Sequence, residues 1–206
     1  AVAAMHAAAD RTPVDAPATM GAILEGNVPS ALRAGLDPRR VQDWAASARR
    51  ELARIAPVIA TRAAGGFTRR CHGDLHLGNL CLWEGRPTLF DALEFDEALA
   101  RIDVGYDLAF LLMDLDLRHG RAAANRVLNR YVARTGDAGI VVGLPFWLSM
   151  RAMIRAHVEA ARGRDWQALL AAAEAHLRPA PARLVAIGGL QGTGKSTLAR
   201  ALAPAL

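Results

Sequence analysis

Lysine is almost absent from this chain of 206 residues. Only Lys195 occurs among its 25 basic residues, and the others are arginines. The arginines are scattered singly or in pairs, such as Arg39–Arg40 and Arg69–Arg70, and form no basic block. A pI near 10.2 therefore reflects heavy arginine usage rather than a polyanion-binding surface. We expect no nucleic-acid partner and infer no obligate protein partner.

Cysteines and long apolar runs are also scarce. Cys71 and Cys81 are the two cysteines, too few for a disulfide framework, so we expect a reduced, cytoplasmic setting. The longest apolar run, residues 139–150, falls well short of the ~20 residues that a bilayer requires. The first residues, AVAAMHAAAD, lack a basic segment and a cleavage site, so neither a signal peptide nor membrane association is expected.

Helical patterns dominate the first 64 residues and return after Val104. TPVDAP (12–17) is expected to be a loop, and Asp37 followed by Pro38 is typical of a helix N-cap and first helical position. That helix should end at Gly65–Gly66. Between the two helical regions, FTRRCHG predicts a short strand entering a loop, and NLCLWEGRPTLFD predicts two strands around the turn EGRP.

The loop reads HGDLHLGN at residues 72–79, close to the kinase catalytic-loop pattern H-R-D-L-x-x-x-N. Phosphoryl transfer needs a carboxylate to orient the attacking hydroxyl and accept its proton, with an oxygen ligand for Mg²⁺ nearby. Asp74 suits the first role and Asn79 the second. A second carboxylate must help to hold the metal, and Asp91, at the end of the strand across the hairpin, suits that role.

These stretches, with the later IDVGYDLAF, resemble the aminoglycoside phosphotransferase and choline kinase family. The resemblance spans roughly residues 20–177 and is strongest over 68–116. It implies that Asp74 is the catalytic base, that Asn79 and Asp91 bind Mg²⁺, and that ATP is the phosphate donor. It also implies that Asp107 braces the catalytic loop, either through its backbone or through His72.

Other interpretations of the same region stay open. Cys71, His72, His76 and Cys81 offer zinc-binding atoms, although their spacing is not typical of structural zinc. The cysteines are expected to be small buried residues of the strands. His76 either lies near the phosphates or is exposed, and Glu94 is a further candidate for lining the site. The remaining acids nearby are expected to be surface charges, and they are Asp96, Glu97, Asp114 and Asp116.

The single lysine belongs to a second motif, GLQGTGKS, which fits the phosphate-binding pattern G-x-x-x-x-G-K-[ST]. Positive φ at glycine lets backbone N–H groups face phosphates, Lys195 suits the β/γ-phosphates, and Ser196 suits Mg²⁺. LVAIGG before the motif predicts a buried strand, and STLARALA after it predicts a helix. The candidate nucleotide-binding residues are Gly189, Gly192, Gly194, Lys195, Ser196 and Thr197.

Together these patterns predict an α+β protein: a mostly helical C-terminal lobe of a kinase-like fold (1–177) with a β-hairpin at its active site, a linker (178–183), and the first βα unit of a P-loop domain (184–206). The order resembles bacterial proteins in which such a kinase is fused to an AAA-type or gluconate-kinase-like P-loop domain. We therefore expect an internal fragment, inactive by itself, of an ATP- and Mg²⁺-dependent phosphotransferase acting on a small hydroxylated acceptor. The alternative is a P-loop ATPase or kinase whose kinase-like lobe is a non-catalytic sensing or partner-binding scaffold.

Overall fold

The computed structural model describes residues 1–94, 97–178 and 185–205. The chain is mostly helical with two small sheets, which confirms the predicted α+β class. No helix in these three ranges combines the length and hydrophobicity needed to cross a bilayer. Asp96 and nearly all of the predicted linker 178–183 lie outside the described residues.

Three helices form the first part of the chain, and they are α1 (Val2–Ala8), α2 (Ala16–Arg33) and α3 (Pro38–Ala64). Asp37 caps α3 as predicted, because its carboxylate accepts a hydrogen bond from the Arg40 N–H. Gly65 ends that helix and Gly66 follows with φ +80°. The loop prediction for residues 12–17 was too long, because Asp15 caps α2 and the helix begins at Ala16.

Two antiparallel strand pairs bracket the catalytic-loop motif. Strand β1 (Thr68–Arg70) pairs with β4 (Arg101–Asp103), and β2 (Leu80–Trp83) pairs with β3 (Arg86–Leu89) in the predicted hairpin. The turn is shorter than EGRP, because strand pairing resumes at Arg86. A short helix, α4 (Glu97–Ala100), leads into β4.

The helices that follow are α5 (Val104–His119), α6 (Arg121–Thr135), α7 (Ile140–Ala161) and α8 (Gln167–His176). Together with α2 and α3 they enclose the hydrophobic core. Every residue from Val104 to Asp114 is buried, so α5 is enclosed on all sides, as expected of a central helix. Trp147 on α7 is fully buried, and a Cβ added at Gly105 would approach its ring to 2.3 Å. Glycine therefore allows α5 and α7 to pack closely.

The described C-terminal segment departs from the prediction at its strand. Helix α9 (Lys195–Leu202) is present, but residues 185–190 form no strand. A strand requires a neighbour that supplies its ladder of hydrogen bonds, and no described segment pairs with these residues. Beyond α9, Ala203 and Pro204 accept hydrogen bonds from Asn129 and Asn125 on α6.

Candidate active site

The motif HGDLHLGN forms a loop that is hydrogen-bonded to the central helix α5. Asp107, fully buried, accepts hydrogen bonds from the backbone N–H of His72 (3.2 Å) and of Gly73 (2.8 Å). His6 on α1 lies 3.0 Å from the same carboxylate through Nε2. These contacts are the ones that a bracing role for Asp107 requires, since a buried carboxylate must find donors.

Gly73 has a structural reason to stand where the kinase pattern has arginine. Its φ is +82°, a conformation that favours glycine. A Cβ built at this position would lie 2.5 Å from Leu93 Cδ1. The turn therefore brings the loop directly against the segment that follows β3.

Asp74 is held through one of its two carboxylate oxygens. Its Oδ2 accepts a hydrogen bond from Asn79 Nδ2 (3.1 Å), which also donates to the Asp74 carbonyl (2.9 Å). His76 Nε2 lies 3.4 Å from Oδ2. Within the described parts of the chain, no group donates to Oδ1. The carboxylate is thus oriented, and its second oxygen has no donor among the described residues.

The surroundings of Asp74 favour its charged form. The neighbouring His76 ring lowers the pKa of Asp74 most, partial burial opposes this effect, and Asn79 and the charge of Arg151 lower it further. Gly78 N–H donates to His76 Nδ1 (3.0 Å), so a neutral His76 ring carries its proton on Nε2, facing Asp74. His76 thus lies beside the candidate base and is largely buried.

Asp91 lies where the hairpin returns to the loop. Phe90 N–H donates to the Asn79 carbonyl (3.1 Å), His72 Nε2 lies 2.9 Å from the Phe90 carbonyl, and Leu93 N–H donates to the His72 carbonyl (2.9 Å). The backbone on both sides of Asp91 is therefore bound to the two ends of the motif. Asp91 itself is exposed, with φ +59°, a strained conformation that is often found at functional sites.

Two predictions about neighbouring residues were wrong. Asp114 is buried rather than a surface charge, because it accepts hydrogen bonds from Leu77 N–H (3.0 Å) and Arg118 Nε (2.7 Å). It therefore fixes the loop at a second point of α5. Cys81 is exposed on β2, whereas Cys71 is buried as expected. Glu97, as predicted, is an exposed charge, paired with Arg70 and Arg101.

Metal-binding atoms also meet in the interior, in a set the sequence did not indicate. His6, Cys71 and Asp107 place donor atoms within 4.8 Å of one another. Each of these atoms already has a partner: His6 contacts Asp107 and Tyr131, and Cys71 donates to the Ile102 carbonyl. Burial raises the pKa of the Cys71 thiol well above its usual value, which disfavours a thiolate ligand. We regard the set as structural.

The glycine-rich segment near the C-terminus forms an exposed turn that leads into a helix. Gly189, Gly192 and Gly194 have φ of +148°, +81° and +79°. Helix α9 begins at Lys195 with Gly194 at its N-cap. The Lys195 ammonium donates to the Leu190 carbonyl, so the side chain folds back across the turn. Ser196 and Thr197 occupy the first turn of α9.

The profile of the phosphotransferase enzyme family (APH) matches residues 1–142. The chain belongs to this family. Its matched range contains Asp74, Asn79, Asp91 and Asp107, and ends before Arg151 and Lys195. Membership implies a phosphotransferase with a kinase-like fold.

The curated relatives of the chain include mycobacterial proteins. "Uncharacterized protein Rv2004c" of Mycobacterium tuberculosis is 38% identical over 154 residues, which cover 71% of this chain and 31% of the relative. "Uncharacterized protein Mb2027c" of Mycobacterium bovis matches with the same figures. The chain therefore spans about a third of the length of these relatives. No solved structure matches the chain.

Proposed function

We propose that this phosphotransferase moves the γ-phosphate of ATP to a hydroxyl group of a small molecule, with Asp74 as the base. The observation that carries the proposal is that the hydrogen bonds to the Asp74 carboxylate from described residues all go to one of its two oxygens. Asn79 and His76 hold Oδ2, and the described residues leave Oδ1 without a donor. A carboxylate fixed in this way is suited to orienting a hydroxyl and accepting its proton.

The proposed step is a direct transfer. The acceptor hydroxyl donates a hydrogen bond to Asp74 Oδ1, and its oxygen attacks the γ-phosphorus. As the new P–O bond forms, the bond to the ADP oxygen breaks and the hydroxyl proton passes to Asp74. The lowered pKa of Asp74 keeps the carboxylate ionised and ready at neutral pH. Most of the rate enhancement in such reactions comes from positioning and fixed charge.

Asn79 and Asp91 fit the Mg²⁺ that the family implies. Because Asn79 uses Nδ2 to contact Asp74, its Oδ1 is left as an amide oxygen ligand. Asp91 offers an exposed carboxylate at the same end of the hairpin. Carboxylate and amide oxygens are ligands that Mg²⁺ prefers. Bound there, the ion would neutralise charge on the nucleotide phosphates.

A second nucleotide-binding segment at residues 189–197 is part of the proposal. The three glycines with positive φ and the helix start at Lys195 provide backbone N–H groups and a positive helix end for phosphates. Fusion to an AAA-type or gluconate-kinase-like domain, and the status of the chain as a fragment, stay predictions. An ATP-dependent reaction also fits the cytoplasmic setting predicted from the cysteines, which form no disulfide.

Metal dependence tests the proposal. ADP release in the presence of hydroxylated acceptors should require Mg²⁺, and Asp91→Asn should raise the Mg²⁺ concentration needed for half-maximal rate. Asp116 lies on α5 and is partly buried. Asp116→Asn is the matched control and should leave the Mg²⁺ titration unchanged. Acceptor-dependent transfer that proceeds at full rate in EDTA, or an Asp91 variant that titrates like the control, would refute the assigned site.

A further inference from the structure

Arg151 on α7 is a buried arginine with no acidic partner in the described parts of the chain. The residue is 6% exposed, and no carboxylate lies within ion-pair distance of its guanidinium among those residues. Its one hydrogen bond runs from Nε to the Tyr106 carbonyl (3.2 Å). Nη2 is enclosed without a partner, whereas Nη1, which is not among the enclosed atoms, keeps contact with solvent.

The guanidinium is held rigidly by aromatic rings. Its Cζ lies 3.8 Å from the centre of the Tyr106 ring and 4.9 Å from that of Phe110. These cation–π contacts replace a counter-ion only in part. A buried charge without a close counter-ion destabilises the fold. Retaining such a charge in a rigid orientation suits a site where a ligand supplies the missing anion.

A chain of side-chain contacts connects Arg151 to the candidate base. The Phe110 ring that it covers lies 5.2 Å, centre to centre, from the His76 ring, and His76 adjoins Asp74. The Phe110 ring thus contacts the guanidinium on one side and the ring of His76, the neighbour of Asp74, on the other. An acceptor seated against Asp74 would feel the positive charge of Arg151.

We propose that Arg151 is a specificity-determining residue that recognises an anionic group, carboxylate or phosphate, on the hydroxylated acceptor. This inference rests on the proposed function, since it places the acceptor hydroxyl at Asp74. The remaining nitrogen, Nη1, can donate a charge-assisted hydrogen bond to an oxygen of such a group, and the enclosed position of the guanidinium reduces the entropy lost on binding. The same charge disfavours polycationic acceptors. Arg151 lies beyond the family match at residues 1–142, which suits a role in specificity rather than in the shared chemistry.

Three probes with one carbon skeleton test the site directly. Glycerol, glycerate and glycerol 3-phosphate are titrated into the chain labelled with ¹⁵N-arginine, and the Nε–H resonances are followed by NMR. The Arg151 resonance, assigned with Arg151→Lys, should shift with glycerate and glycerol 3-phosphate and stay unchanged with glycerol. Arg151→Met should weaken binding of the two anions about tenfold or more, in line with a charge-assisted hydrogen bond. Arg155→Met, one turn along α7 and paired with Glu159, is the control and should bind as the wild type does.

Each other outcome overturns the assignment. Equal response to glycerol and to the anions would show that Arg151 recognises no anionic group. A shift with a non-hydrolysable ATP analogue but with neither glycerate nor glycerol 3-phosphate would assign the charge to the nucleotide instead. The wild-type titration needs only the conservative Arg151→Lys for its assignment, so it decides the question even if Arg151→Met does not fold. Binding is measured without turnover, so the two proposals fail separately. If the chain binds these anions at Arg151 but the protein expressed from its complete reading frame transfers no phosphate, the proposed function is refuted and the anion site stands.

Discussion

At the scale of single residues, the chemistry converges on Asp74 and on the glycine before it. Gly73 combines a left-handed backbone with a contact to Leu93 that leaves no room for a side chain. Gly73→Ala should therefore cost roughly 1–2 kcal/mol for the backbone conformation and about 1–3 kcal/mol for overpacking. Urea denaturation measures the change in the free energy of unfolding. Gly136→Ala, with φ +73° in the left-handed region and open space around it, should lose the backbone part alone, and equal losses in both variants would contradict the close contact.

The ionisation of Asp74 gives a second prediction at this scale. His76 is the main cause of the lowered pKa of Asp74, so His76→Ala should raise that pKa. The acid limb of the pH–rate profile should then move to higher pH. A carboxyl whose folded pKa is depressed stabilises the fold above its unfolded pKa and loses that contribution as pH falls through the folded value. His76→Ala should therefore also reduce the difference in stability between pH 7 and pH 3.

NMR titration of the Asp74 carboxyl carbon measures the shift in pKa. His119→Ala, at the exposed end of α5, serves as the control and should leave the Asp74 titration where it is in the wild type. A pKa of Asp74 that is unchanged or lowered in His76→Ala would contradict the assigned cause.

At the scale of elements, helix α5 fixes the loop at two points. Asp107 holds His72 and Gly73, and Asp114 holds Leu77. Asp107→Ala leaves these two amide groups and His6 without their acceptor, at about 1–3 kcal/mol for each buried donor. Hydrogen exchange of the His72 and Gly73 amides should accelerate, whereas Asp114→Ala should accelerate exchange at Leu77 instead. Identical exchange maps for the two variants would argue against separate anchors.

The sequence predicted the elements better than their contacts. Spacing and capping residues indicated the helices and the hairpin, because those signals are local: Asp37 before Pro38 is one example. The burial of Asp114 and the unpaired charge of Arg151 depend on which helices pack together, and nothing in the neighbouring sequence reveals this. The strand predicted over LVAIGG was wrong for a related reason. Its local pattern is apolar, but a strand also needs a neighbouring strand, and the described chain offers none.

At the scale of the whole molecule, two candidate nucleotide sites have separate roles in the proposal. The family match ends at residue 142, and the glycine-rich segment begins at Gly189. Lys195→Ala should therefore weaken nucleotide binding at residues 189–197 without changing the Mg²⁺ titration of acceptor-dependent transfer. Binding of a fluorescent ATP analogue measures the first effect. If Lys195→Ala lost both nucleotide binding and acceptor-dependent transfer, a single nucleotide site would serve both.

The central claim is that Asp74 is the base of a phosphoryl transfer. Its most direct test is the rate of acceptor-dependent ADP formation from ATP, measured in the protein expressed from its complete reading frame, with Asp74→Asn and Lys195→Ala made separately. Asp74→Asn keeps the size and the contact to Asn79 but removes the base, so the rate should fall by roughly 10²–10⁴, while Lys195→Ala should retain the acceptor-dependent rate. A protein that keeps its transfer rate with Asn at position 74, and loses it with Ala at position 195, would contradict the account and favour a P-loop enzyme with a non-catalytic kinase-like lobe.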